Sequence, residues 1–362
     1  MKFDWIALHP QVRIVNGFRR AAFYDLQREQ FFYVRSAIAD WLGQALPCPE
    51  AQVQDFISTQ YERGSDYLNW LVDKEILFRL PASMAERFKD ISLDFGHPGE
   101  LLSATIPSEL VNVDVIAAIC SAGARHLAID CRSSEVDGVL SVVDAVPLAM
   151  PLLSVTLRAG RRTAAQELQI REKAESRYCV TNVVFDGGEV EDSIPAETEP
   201  GCQGRKDGSN PRPPMRCNLH HYLVALKSNV AFYRHAHIHS DGTIYEGEGT
   251  EVLIGQLGSP PTKSDFTSRR SVSEVQNASK DRTDICCHCE HRYMCGDLRV
   301  PRKREGGLWY HDMECAYNPY IALWRGEKYY RNLAECGVTS DAHTFSIDHV
   351  KIAAINKEIW GE

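Results

Sequence analysis

The sequence predicts a mixed α/β chain in three successive parts, and three observations carry that prediction. Residues 11 to 34 alternate in short β-like runs ahead of helical patterns. From residue 90 apolar strand runs alternate with helical segments, and cysteines crowd together near the carboxyl end. At 362 residues the chain has room for two to three domains, each burying a core. Hydrophobic residues make up 44% and charged residues 25%, the balance of a folded chain rather than a disordered one.

In the first part, "VRIVN" (Val12–Asn16), "AAFYDL" (Ala21–Leu26) and "FFYV" (Phe31–Val34) read as strands separated by polar or turn-capable residues, Gly17 among them. Ser36 is placed to cap a helix over "AIADWLGQAL" that stops near Gly43 and Pro47. Pro49 opens a second helix over "EAQVQDFISTQYERG", and Ser65 caps a third over "DYLNWLVDKE". The run "ILFRLP" is one more strand, closed by Pro81. A small three-stranded sheet, three helices and a wing strand give a winged-helix-like module over residues 1–85.

The second part covers residues 86–216. "DISLDF" reads as a strand, and Pro107 to Ala124 as a helix with apolar spacing at Leu110, Val113, Ile116 and Ala117. "HLAIDC" is a strand, "VDGVLSVVDAVPLAM" a helix up to Pro147, "LLSVTLR" a strand, "TAAQELQIREKAES" a helix and "YCVTNVVFD" a strand. Four strands separated by helices make βαβ units with a parallel sheet, open or closed into a partial barrel, because four units fall short of an eight-fold one. Gly187 to Arg216, rich in Gly, Pro and acids, reads as a long exposed loop.

The third part covers residues 217–362. "VAFYRHAHIHSDGTIYEGEG" reads as a hairpin turning at Ser240–Gly242. A cysteine-rich stretch runs from Asp284 to about Cys315, and an aromatic helix is expected around "YIALWRGEKYYRNL".

Charge and hydropathy exclude some functions. Forty basic against 49 acidic residues give a formal charge of −9, which argues against a protein that coats nucleic acid. No stretch approaches the roughly 18–20 continuous apolar residues of a membrane span. The opening "MKFDWIALHPQ" has acidic and polar residues where a signal peptide would carry its apolar stretch, so a cytoplasmic location is expected. No nucleotide-cradling glycine loop and no G-x-S-x-G elbow occurs.

In a reducing compartment, twelve cysteines point to metal ligation. Cys48, Cys120, Cys131 and Cys179 have apolar neighbours and read as small buried hydrophobes. Cys286, Cys287, Cys289 and Cys295 fall within ten residues, and the spacing Cys286-x2-Cys289-x5-Cys295-x19-Cys315 offers four thiolates to one centre. Four thiolates suit tetrahedral Zn²⁺ or a [4Fe–4S] cluster equally. His235, His237 and His239 alternate along one strand and so share a face, a possible second metal site to which His220, His221, Glu246 and Glu248 lie near in sequence. A polar, solvated sheet face is the competing reading. Arg299, Arg302, Lys303 and Arg304 form a basic run, read by default as a loop offsetting neighbouring acids.

The stretch "CCHCEHRYMCGDLRVPRKREGGLWYHDMECAYNPYIALW" resembles the SPASM domain that extends radical-SAM peptide-modifying enzymes, and most resembles the grasp-with-spasm peptide maturases. "YRHAHIHSDGTI" occupies the place of that family's strand-turn-strand. The resemblance implies two auxiliary iron–sulfur clusters. One set is complete here: Cys286, Cys289, Cys295 and Cys315. The other is lost, its places held by Ala231, Gly247 and Arg299. The family's C-x3-C-x2-C loop, which would follow "DISLDFG", is also missing: "HPGELLSATIP" has no cysteine, and that spacing occurs nowhere in the chain. The resemblance therefore implies a degenerate, radical-SAM-like partial barrel with one [4Fe–4S] cluster (Zn²⁺ the alternative) and no S-adenosylmethionine cluster.

The first module is similar to the precursor-recognition element of ribosomal peptide maturation systems, whose members include the small peptide chaperone of pyrroloquinoline quinone biosynthesis. There the leader adds as a strand to the sheet edge and lies on the third helix. Carried over, the docking residues would be Phe31, Phe32, Tyr33, Val34, Tyr67, Trp70 and Leu71. "DYLNWLVDKE" lacks the basic side chains a DNA-reading helix needs. The expected function is an accessory role: holding a ribosomal precursor peptide and presenting it to a separate modifying enzyme in a hetero-oligomer, with no independent catalysis and no nucleic-acid or membrane partner. The competing functions are a peptide-modifying metalloenzyme using the histidines, and a zinc-stapled adaptor.

Overall fold

The computed structural model of the chain describes residues 3–88, 100–132, 135–147, 149–160, 163–177, 179–185, 212–267 and 274–361. It is a mixed α/β chain with a parallel-strand sheet and a cysteine-rich carboxyl-terminal region.

Two small sheets build the amino-terminal part. β1 (Trp5–Leu8) lies between β5 (Cys48–Pro49) and β6 (Leu77–Leu80), antiparallel to both. β2 (Val12–Asn16), β3 (Ala21–Asp25) and β4 (Gln30–Val34) form a separate antiparallel meander with β4 at its edge. The strand expected to be a wing is β6, and it pairs with β1 instead of the meander. The sequence reading passed over β1 because "WIAL" is only four residues long. Helices α1 (Ser36–Ala45), α2 (Glu50–Gln60) and α3 (Gly64–Asp73) follow. Ser36 and Ser65 lie inside the first turns; the N-cap positions are Arg35 and Arg63, without side-chain caps. Packing holds these helices: Ile38, Leu42, Ile57 and Leu71 are almost fully buried against Phe23 and Val12, each contributing roughly 2 kcal/mol.

The central sheet has the strand order β10-β9-β8-β7-β11-β12-β13. β7 (Ser103–Pro107), β8 (His126–Cys131), β9 (Ser154–Ala159), β10 (Val180–Phe185) and β11 (His235–Ile238) run parallel. β12 (Thr243–Tyr245) and β13 (Leu253–Gln256) complete it antiparallel. Among the described residues the sheet is open, with β10 and β13 as its ends. The helices connecting β7 through β10 are α4 (Val113–Ser121), α5 (Val136–Ala145) and α6 (Ala164–Glu175). The expected strand at "DISLDF" lies outside the described residues. The first described strand, β7, falls just ahead of Pro107, and the helix expected from there starts only at Val113, where the Asn112 side chain accepts the Val115 N–H at 2.9 Å. The hairpin expected in the third part lies in this same sheet, since β11 pairs with β7.

Alternation divides the sheet into two faces. Ile106, Ile129, Leu157 and Ala236 point to the apolar core with Ile116 and Ile119 of α4. In register on the other face stand Ser103, Thr105, His126, Ser154, Thr156, Arg158, His235 and His237.

The carboxyl-terminal region contains α7 (Leu219–Ala225), the cysteine-rich loop and α8 (His349–Trp360). The aromatic helix expected around Tyr320 is a hairpin pairing Tyr317–Asn318 with Leu323–Trp324. Pro319 disfavours the helical region for Asn318, whose side chain instead accepts the Tyr320 N–H, and Ala322 (φ 54°) and Gly326 (φ 93°) turn the chain. α8 buries Ile352 and Ile355 against Tyr320, Cys336 and Val338. No helix among the described residues is long and apolar enough to cross a membrane.

Candidate metal centre and docking edge

The cysteine loop opens on a strained turn. The Asp284 carbonyl accepts the Cys286 N–H at 2.5 Å around Ile285, whose φ of 62° and ψ of −51° make a γ-turn of the rare hand. A single 3₁₀ turn, Cys286–His288, then brings Cys289 back over Cys286, its N–H donating to the Cys286 carbonyl at 2.9 Å. Cys295 bridges to Met215, which fixes the far side of the loop. Cys286, Cys289, Cys295 and Cys315 are half-buried, while Glu290, Met294 and Asp297 around them are buried.

Three of these thiols are shifted by their surroundings. Burial first, then neighbouring negative charge, pushes Cys289, Cys295 and Cys315 above the ordinary thiol range, and Cys286 is among the neighbours of all three. Cys287 is not among the main influences on any of them; its own thiol, pushed up to about 12 chiefly by burial, adjoins Cys286 and Asp284. Among the described residues no three of the four thiols lie within 4.8 Å of one another, so the expected four-thiolate set is a neighbourhood and not a closed site. Several thiol, imidazole and carboxylate groups there could still hold a metal. The His291 N–H donates to Cys289 Sγ at 3.4 Å, the kind of support a ligating sulfur needs. The ligand groups that do close, with ligand atoms within 4.8 Å of one another, are Cys286 with Asp297 and His311, and Cys289 with Glu290 and His291. Because burial holds the metal-free Cys289, Cys295 and Cys315 thiols protonated, metal uptake there must release their protons. Zinc affinity is therefore expected to fall as pH falls, log K changing by ~3 or more per pH unit between pH 6 and 8. Titration calorimetry in two buffers of different ionisation enthalpy measures this.

The loop is built onto the amino-terminal meander. The Phe18 N–H donates to the His288 carbonyl at 2.7 Å, and Arg292 donates to the Asn16 carbonyl at 2.5 Å. Tyr24 Oη donates to the Glu290 carbonyl, and Glu290 Oε1 accepts from both Arg20 and Tyr317 at 2.5 Å. Gly17 is required at this contact: a Cβ there would lie 2.8 Å from the Glu290 nitrogen and 2.7 Å from the Arg20 carbonyl oxygen. Gly17→Ala is expected to destabilise the chain by about 2–3 kcal/mol, read as a lower denaturant midpoint at unchanged m-value.

β4 touches this loop directly. Tyr33 Oη hydrogen-bonds His291 Nε2 at 2.7 Å, Phe31 packs edge-on to the same imidazole, and the Arg20 guanidinium lies 3.4 Å over the Tyr33 ring. Tyr33 remains 40% exposed, and its hydroxyl is pushed up to about 12, mainly by burial of its ring end. Phe32 points the other way, edge-on to Trp70, which stacks on Tyr67 and through it on Tyr61. An open groove of about 590 Å³ runs there, walled by Arg35, Tyr61, Arg63, Tyr67 and Trp70. Val34 and Leu71 are core residues. Among the described residues no strand pairs with the outer side of β4.

The histidines are arranged differently. His235 has Nδ1 2.7 Å from Ser103 Oγ and Nε2 3.1 Å from Thr105 Oγ1, so both its nitrogens are engaged. The His237 and His239 rings meet edge-on at 5.1 Å, and the three do not form a metal-ligand group among the described residues. His221 is buried in α7, and burial pushes its ring down to about 3. Every cation of the basic run is paired: Arg299 with Asp297, Arg302 with Asp312, Lys303 with Glu274 and Arg304 with Asp284. Sequence reasoning missed Glu290, His291, Asp297 and His311 as neighbours of the thiols. Glu290 and His291 directly follow Cys289, which was a usable signal; the approach of His311 depends on the fold. A scan against protein-family models gives no match for this chain, and a search of curated proteins gives none.

Proposed function

We propose that the chain is a metal-anchored accessory protein in the maturation of a ribosomally synthesised peptide. It binds the precursor leader along β4 and the Tyr61–Tyr67–Trp70 groove, and presents the remainder to a separate modifying enzyme. The observation that carries the reading is the position of β4: an edge strand beside an aromatic groove, hydrogen-bonded through Tyr33 to the loop that bears the cysteines. An extended peptide added to such an edge gains main-chain hydrogen bonds, and aromatic pockets supply selectivity. Cys286, Cys289, Cys295 and Cys315 would hold one [4Fe–4S] cluster or one Zn²⁺; either would cross-link the loop, and the cluster would also carry an electron. The likeness of the cysteine segment to SPASM domains, the polar face of the parallel sheet and the missing C-x3-C-x2-C together favour a scaffold that does not itself cleave S-adenosylmethionine. The histidine-based enzyme is disfavoured by the engaged nitrogens of His235.

The test is affinity of the full chain for synthetic precursor peptides encoded by short reading frames beside its gene. Micromolar binding that disappears when the leader is removed is expected. Absence of leader-dependent binding for every such peptide would overturn the reading.

A further inference from the structure

Lys280, Asp297, Arg299 and His311 form a charged cluster buried beside the four thiols. Lys280 is 2% exposed and its Nζ donates to Asp297 Oδ2 at 2.8 Å. Arg299 donates from Nη2 to the same oxygen at 2.7 Å and from Nε to Oδ1 at 3.0 Å, and its remaining arm reaches the Met313 carbonyl. The Arg299 and Asp297 side chains are 9% and 5% exposed. Lys280 sits on a short turn packed against the Cys286–His288 turn, and Arg299 follows Cys295 by four residues. The Asp297 carboxylate, Cys286 Sγ and a His311 ring nitrogen lie within 4.8 Å of one another.

The charge count does not close within this cluster. Two fixed cations face one carboxylate, which leaves one surplus positive charge in a buried pocket. His311 cannot remove the surplus, because a neutral imidazole leaves the count unchanged and a protonated one adds to it. Its Nε2 lies 3.8 Å from Asp297 Oδ2. A buried, unbalanced charge costs several kcal/mol unless a neighbour compensates it. The neighbours are the thiols: Lys280 and Arg299 both bind Asp297, whose carboxylate lies within 4.8 Å of Cys286 Sγ, and the Lys280 turn packs on the Cys286–His288 turn. Four thiolates around Zn²⁺, or around a doubly positive cluster core, carry a net charge of −2.

We propose that Lys280 and Arg299 are positioning residues forming a cationic clamp, which holds the four-cysteine centre as a dianion and slows the loss of its metal. This rests on the four-thiolate reading above. A structural salt-bridge network and a clamp make opposite forecasts for Asp297: the network is weakened by its removal, whereas the clamp gains surplus positive charge.

The experiment is the rate of Zn²⁺ transfer from the loaded full-length chain to an excess of chelator at fixed pH. Arg299→Met is expected to release zinc about tenfold faster than the parent, and Arg299→Lys near the parent rate. Asp297→Asn is expected to release it several-fold more slowly. Asp297→Asn releasing at the parent rate or faster overturns the clamp, and decides the matter alone if Arg299→Met does not fold. A parent chain that takes up no zinc and, after anaerobic treatment with iron and sulfide, no cluster would overturn the four-thiolate reading and the clamp with it. A parent that binds metal while Asp297→Asn releases it no more slowly would overturn the clamp only.

Discussion

Cys289→Ser is expected to reduce bound metal from one centre per chain to less than about a tenth of that, and to lower the melting temperature by more than about 10 °C. The residue joins both sides of the region. Its thiol is raised by burial and by the nearby Glu290, Cys295 and Cys286, its sulfur accepts the His291 N–H, and the next residue, Glu290, anchors the meander through Arg20, Tyr24 and Tyr317. Metal binding to a four-thiolate site contributes folding free energy on the order of 10 kcal/mol, so removing one ligand loses much of it. Cys287→Ser, one turn away and outside the set, is expected to keep the full metal content and shift the melting temperature by less than about 3 °C. Elemental analysis with calorimetry on the two variants measures the difference. Equal loss in both would mean that the loop binds metal through a different set.

Trp70→Ala is expected to weaken leader binding by about 30-fold or more, the loss typical of a central aromatic anchor. Trp70 stands between the docking strand and the groove wall, edge-on to Phe32 and stacked on Tyr67. Its truncation removes the surface on which peptide side chains would lie, and costs the module roughly 2 kcal/mol of stability. Trp70→Phe keeps a ring in place and is expected to retain affinity within about fivefold. Fluorescence anisotropy of a labelled leader, with circular dichroism to verify folding, separates loss of the surface from loss of the module. A Trp70→Ala chain that is folded and binds as tightly as the parent would move the docking site away from this groove.

Local patterns made much of the fold legible. The meander strands at residues 12–34 stand within a residue or two of where turn residues and apolar spacing place them, and the second helix starts at Glu50 as expected but ends at Gln60, four residues early, because each is specified mainly by its own neighbours. The failures come from non-local pairing. β1 gains its partners from residues some 40 and 70 positions away, and β7 is a five-residue strand whose place beside both β8 and β11 no local pattern reveals. The aromatic stretch at Tyr317–Tyr330 carries helical spacing, yet Asn318 before Pro319 starts a turn that overrides it.

For the site, cysteine spacing pointed to the region of Cys286, Cys289, Cys295 and Cys315, where the fold gathers Cys286 with Asp297 and His311 and Cys289 with Glu290 and His291. It could not reveal that Tyr33 reaches His291, or that Lys280 and Arg299 share Asp297, since these contacts join segments up to 258 residues apart. Three histidines on one strand face read as ligands only until Ser103 and Thr105, on the neighbouring strand, occupy the nitrogens of the first.

The central claim is that the chain keeps one metal centre but cannot begin radical chemistry. The most direct measurement is the formation of 5′-deoxyadenosine from S-adenosylmethionine by the full-length chain, reconstituted anaerobically with iron and sulfide and supplied with a strong reductant. No product above the protein-free control is expected, from a chain whose bound metal disappears in the Cys289→Ser variant. Product formation that follows the protein concentration would contradict the account.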